Sequence, residues 1–224
     1  MQVQFIISRR TAHLFHSEVL VLSKLHHETY LPLLYRDIDC HMASRRMSKL
    51  AEALKRDPTL GGHVRRLRLW QRQPGAGAGV IFLAPTEQEE MRCILAACEP
   101  QILHLVLCSF PETALECIRP VQLYELSITI YEHSRYVSTH SELDLWYRSL
   151  RNALSLRELD WYRYHRRADV DRLVDQLNDP TFLPNLKHLR VGCADAGISV
   201  SWERPAACAE TRRFDLRQIW NPAT

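Results

Sequence analysis

The pattern apolar-x-x-apolar-x-apolar occurs five times, each time after a helix-like stretch. It reads Val64-x-x-Leu67-x-Leu69, Ile102-x-x-Leu105-x-Leu107, Leu123-x-x-Leu126-x-Ile128, Leu156-x-x-Leu159-x-Trp161 and Leu186-x-x-Leu189-x-Val191. A short strand recurring after a helix is the signature of stacked units, each of which buries its apolar side only against its neighbours. With 46% hydrophobic residues, three fixed positions are all apolar roughly one time in ten by chance. Five matches, each near a helix terminator, are harder to obtain that way. Strands separated by helices need a return crossover each time, so these strands are expected to be parallel and to neighbour one another in chain order. The other arrangement compatible with the pattern is a plain α/β sheet of buried strands. Either way the chain offers a surface more readily than a catalytic pocket.

The segments between the strands carry helical spacing. Glu18 to Tyr35 has Val19, Leu22, Leu25, Leu31 and Leu34, with Pro32 separating two pieces or opening the second. Ser44 suits a cap for a helix over Arg45–Arg56, with Met47, Leu50, Ala51 and Leu54 on one side. Asp57-Pro58 ends it, and Gly61-Gly62 turns into the first strand. Residues 86 to 98 begin with Thr86, Glu87, Glu89 and Glu90, bury Met91, Ile94, Leu95 and Cys98, and stop at Pro100. A short helical turn is expected over 111–118. Ser141 to Leu154 predicts a helix with Leu143, Trp146, Tyr147, Leu150 and Leu154 inward, and Asp169 to Leu177 predicts another. Gln73 to Gly79 and Ala194 to Ala209 read as loops, and Phe214 to Ile219 as a weak last strand.

Composition narrows the function classes. The 224 residues suffice for one domain with a large core. The net charge is only +3, and the basic pairs are dispersed among acids, which argues against a nucleic-acid partner. No apolar run approaches the length of a membrane span. The first residues carry no leading positive charge of a signal peptide, so an intracellular protein is expected. The seven cysteines are scattered without a C-x-x-C and fit buried, reduced thiols.

Gly75-x-Gly77-x-Gly79 follows a strand, but Val80 stands where a dinucleotide fingerprint needs glycine, and no Gly-Lys-Ser/Thr is present. His26 and His27 are adjacent and diverge on a helix; His104 and His188, at equivalent repeat positions, lack carboxylate company. No G-x-S-x-G serine occurs. The reading is therefore non-enzymatic, with no cofactor, metal or catalytic residue assigned.

In a parallel sheet alternate side chains face opposite sides. The apolar positions enter the core, and the residues between them form an open ladder: Arg66, Arg68, Trp70, His104, Glu125, Thr129, Glu158, Asp160, Tyr162, His188 and Arg190. Arginine and aromatic residues are enriched where proteins bind proteins, so this face is the candidate site for a protein partner.

Residues 19–69 carry an ordered set of motifs: Val19 to Leu25, Tyr30-Leu31-Pro32-Leu33-Leu34-Tyr35-Arg36-Asp37-Ile38, Ser44-Arg45-Arg46 with Leu50 and Leu54, then Asp57-Pro58-x-Leu60-x-x-His63-Val64-Arg65-x-Leu67-x-Leu69. This set resembles fungal F-box proteins with degenerate leucine-rich repeats. The resemblance implies a helical F-box remnant and connecting helix over residues 1–60, then an irregular leucine-rich-repeat-like α/β arc over 61–224. It also implies substrate recognition for an SCF ubiquitin ligase, with Val19, Leu22, Leu25, Leu34 and Tyr35 facing a Skp adaptor. The strand starts are roughly 20 to 40 residues apart, more irregular than the 20–29 of standard repeats. No Leu-Pro-x-Glu helix precedes Val19, so the F-box is expected to be truncated. The Asn or Cys that ends a standard repeat strand is replaced by Arg72, Phe110, Tyr131, Tyr164 and Ala194. A scaffold or interaction protein without a ligase link is the alternative.

Overall fold

The computed structural model describes residues 24–71, 83–108, 116–130, 144, 147–163, 172–173, 175–179, 181–193 and 198–203. Within them, seven strands form one sheet in strict chain order. They are β1 (Asp37–His41), β2 (Arg66–Trp70), β3 (Ile102–Leu107), β4 (Glu125–Ile130), β5 (Glu158–Arg163), β6 (His188–Cys193) and β7 (Ile198–Glu203). Strands β1 to β6 are all parallel, and β7 pairs antiparallel with β6. The five strands expected from the apolar pattern are thus parallel neighbours in chain order.

Helix α1 (Lys24–Arg36) leads directly into β1, α2 (Arg45–Arg56) joins β1 to β2, and α3 (Pro85–Ala97) lies between β2 and β3. Helical residues also precede β5 at Asp144 and 147–150, and β6 at Arg172, Leu173 and 175–177. Ser44 caps α2 as expected: its hydroxyl accepts the Met47 N–H at 3.2 Å and donates to the His41 carbonyl at 2.6 Å. Met47, Ala51 and Leu54 are buried and Leu50 packs against them. Helix α3 starts one residue earlier than Thr86. Pro85 occupies its first turn, and the Glu87 carboxylate accepts the Ala84 N–H at 2.8 Å.

Two rows of apolar side chains cross the parallel strands in register on the buried side. Ile38, Leu67, Leu103, Leu126, Leu159 and Leu189 form one; Cys40, Leu69, Leu105, Ile128, Trp161 and Val191 form the next. All are buried. In four of the five patterns the first apolar residue does not belong to the strand. Val64, Leu123, Leu156 and Leu186 each end a tight turn, donating their N–H to the carbonyl three residues back, on Gly61, Pro120, Ala153 and Leu183. All four are buried beneath the sheet.

Several expectations are corrected. Strand β1 lies between the helices expected at 18–35 and 45–56, where no strand is expected; five residues with only Ile38 and Cys40 apolar are too short to announce one. Pro32 sits inside a single helix, so it neither divides α1 nor opens a second piece. The second repeat is displaced by two residues. Leu103 and Leu105 stand in register with Leu67 and Leu69, and buried Pro100 takes the place of Val64. A two-residue slip preserves which side each residue faces, and the continuous run Ile102 to Leu107 conceals it. Leu154 is not inward: it is 56% exposed. The helix ends at Leu150, and fully buried Ala153 holds the core position instead. Part of the Ala194 to Ala209 stretch forms β7. The Gln73–Gly79 loop, most of the 111–118 turn and the strand expected at Phe214 lie outside the described residues.

Gly61 is a point of close approach between successive units. A Cβ there would lie 1.9 Å from the Ala97 carbonyl oxygen, whereas a Cβ on Gly62 would meet nothing within 4 Å. Gly61 and Ala97 stand at matching distances before β2 and β3, so this close approach is unit against unit. Gly61→Ala is expected to lower unfolding free energy by about 2 kcal/mol in urea titration, since the obstruction is backbone. Gly62→Ala should stay within about 0.5 kcal/mol of the parent. Leu126→Asp places an unpaired carboxylate in the buried row and should cost more than about 3 kcal/mol; unchanged thermal stability would contradict the core assignment.

Candidate functional site

The opposite side of the sheet is the open one, and register groups its residues into three rows. Asp37, Arg66, Ile102, Glu125, Glu158 and His188 form the first row; Asp39, Arg68, His104, Ser127, Asp160 and Arg190 form the second. His41, Trp70, Val106, Thr129, Tyr162 and Gly192 hold the third. Every residue expected on the open ladder therefore belongs to one contiguous three-row array. His104 and His188 are not equivalent, because the displacement of the second repeat moves His104 into the row of Arg68 and Asp160. Residues Asp37, Asp39 and His41, contributed by β1, extend the array beyond the expected ladder.

The charges interlock across strands. Asp39 accepts the Trp70 indole N–H at 2.6 Å and faces the Arg68 guanidinium at 3.3 Å. The His41 ring meets Trp70 edge-on, with centroids 4.6 Å apart. His104 Nε2 lies 2.7 Å from a Glu125 carboxylate oxygen, a diagonal contact from the second row to the first. Arg190 reaches Asp160 at 3.6 Å. These pairs are substantially solvated, so each contributes at most about 1 kcal/mol to stability. Their effect is to hold side chains in fixed positions. The acids Glu125, Glu158 and Asp160 occupy the middle strands, with Arg66 and Arg68 on one flank and His188 and Arg190 on the other. At the end of β2, the buried Gln71 side-chain carbonyl accepts the Cys108 N–H at 2.9 Å, tying two successive connections together.

Three of the five residues expected to face an adaptor, Leu25, Leu34 and Tyr35, fall on α1. Val19 and Leu22 lie outside the described residues. Leu34 is half-buried. Tyr35 packs against the chain's own core together with Leu31, and burial, followed by the nearby Asp57 charge, pushes its phenol above its ordinary value. The outward residue at this end of α1 is Leu33, 53% exposed.

Cys40, Cys98 and Cys108 are buried, and Cys93 and Cys117 are half-buried. Burial drives the Cys98 thiol up to about 12. Burial also raises Cys40, with Arg46 opposing the rise and Asp39 adding to it. Among the described residues no group of three or more His, Cys, Asp or Glu side chains could hold a metal ion, and no helix is long and apolar enough to cross a membrane. Iodoacetamide at pH 8 should therefore label Cys117 in the native protein, while Cys40 and Cys98 are modified only after unfolding, as read by peptide mass spectrometry. Fast native labelling of Cys98 would contradict its burial.

No family model matches the chain, and no curated protein matches it in sequence.

Proposed function

We propose that this chain is a protein-binding module without chemistry of its own, similar to the F-box substrate receptors of SCF ubiquitin ligases, and that a protein partner is captured on the open sheet face. The observation that carries this reading is the array itself. Six parallel strands present charged, aromatic and hydroxyl side chains in register, and several are held in place by cross-strand contacts. A surface whose side chains are already ordered loses less conformational freedom on binding. Trp70, backed by Asp39 and His41, is the natural anchor, since buried aromatics carry much of the energy of protein interfaces. In this reading the sheet is an irregular leucine-rich-repeat-like arc, and the helical segment before it is an F-box remnant that docks a Skp adaptor.

A second reading is a scaffold or interaction protein with no ligase link. The packing of Leu31 and Tyr35 onto the chain's own core favours it, because those side chains are engaged internally. A pull-down with a purified Skp adaptor separates the two. Binding that is weakened by substitutions in the segment 19–35 supports the receptor reading. A folded protein that retains no adaptor sinks it and leaves the scaffold. For a partner held by the open face, Trp70→Ala should weaken binding at least tenfold in calorimetry, with the fold preserved.

A further inference from the structure

The N-terminal rim of the sheet has a construction of its own. Just before each parallel strand one residue stands in line with its neighbours: Arg36, Arg65, Gln101, Tyr124, Arg157 and Lys187. Each after Arg36 donates its N–H to the carbonyl of the one before it, at 2.7 to 2.9 Å, so the six form a continuous line across the strand starts. The carbonyls of Arg65, Gln101, Tyr124 and Arg157 each accept a second N–H, from the first residue of the following strand. All six side chains in the line are exposed, four are cationic and none is acidic.

Two clefts of about 490 Å³ each open along this rim and share Leu154 as a common wall. The described residues hold three exposed large hydrophobic side chains, and two of them, Leu154 and Tyr124, line the same cleft. Both are held in place. Asn185 donates to the Leu154 carbonyl at 2.8 Å, and the Arg157 guanidinium lies over the Tyr124 ring, 5.2 Å from its centroid. The Arg65 guanidinium reaches Gln122, another residue of that cleft, at 3.5 Å. In the second cleft, Glu99 is matched by Arg119 at 3.1 Å, so among the described residues the rim's uncompensated charge is positive.

We propose that this rim is a second binding surface, distinct from the open face, which docks an acidic segment of a partner protein. One large apolar side chain of that segment seats against Leu154 and Tyr124, and its carboxylates meet Arg65, Arg157 and Lys187. Exposed apolar area beside organised guanidiniums suits a peptide with alternating acids and an anchor residue, since bidentate arginine–carboxylate contacts need such donors held in place. A nucleic acid would gain nothing from exposed Leu154.

The test is selection of a random peptide display library on the full chain, followed by fluorescence anisotropy of the enriched peptides. The expected sequences carry Asp or Glu around one Leu, Phe, Met or Trp. Leu154→Ser and Arg157→Glu, both at exposed positions and checked for folding by circular dichroism, should each weaken binding at least tenfold. Raising the salt should also weaken it. Arg68→Glu, on the open face, should leave binding unchanged. The proposal is overturned by enrichment without acidic residues, by no enrichment, or by peptides that bind Leu154→Ser as tightly as the parent. Displacement of the peptides by single-stranded polyuridylate at comparable affinity would overturn it too. None of these results bears on Trp70-dependent binding at the open face, so the two surfaces succeed or fail separately.

Discussion

In-register parallel pairing, acting on two rows of apolar side chains, is the constraint on which everything else depends. Each of Leu67, Leu103, Leu126, Leu159 and Leu189 is buried because its neighbours on adjacent strands are at the same height. A slip of one residue would turn both rows to the open side and bring Arg68, Asp160 and Arg190 into the core, at a cost no helix packing could offset. The connections vary widely. Register partners Arg66 and Ile102 are 36 residues apart, and Ile102 and Glu125 only 23. The sheet tolerates this because the strands and the turns before them, not the helices, set the alignment.

The same pairing divides the molecule into sides with different work. The buried side holds the rows and the feet of the helices. The open side is arranged by charge, with Asp39 gathering Trp70 and Arg68 while Glu125 holds His104. These solvated contacts add little to stability, yet they determine what a partner meets. The N-terminal rim has a different character, with cations and two exposed apolar side chains in place of a mixed lattice.

The sequence made the strands legible because a buried parallel strand has a dense apolar signature, and four of the five patterns fall on the register the structure adopts. The exception, β3, was obscured by its own hydrophobicity: with Ile102 and Val106 apolar as well as Leu103, Leu105 and Leu107, alternation no longer marks the height. Strand β1 was hidden for the opposite reason, since two apolar residues between aspartates look like a loop. Leu154 was misread because helical spacing continues past Leu150 while the helix does not. The open-face residues could be listed from alternation alone. Their contacts could not, because the diagonal from His104 to Glu125 exists only once the displaced second repeat is placed. The rim was not visible at all: its residues are scattered along the chain and are collected by backbone hydrogen bonds between units.

Strict chain order has a consequence for how the molecule comes apart. No strand relies on a partner distant in sequence, so loss of an end unit sacrifices a single interface and leaves the rest standing. Opening should begin at β1, beyond which no further strand lies among the described residues, while the other end of the parallel run is covered by β7. The middle strands, β3 to β5, are flanked on both sides and form the most protected part. Asp39, which organises Trp70, therefore stands on the least protected strand. A partner gripping Trp70 would secure that edge as it binds, and the grip would loosen as β1 frayed.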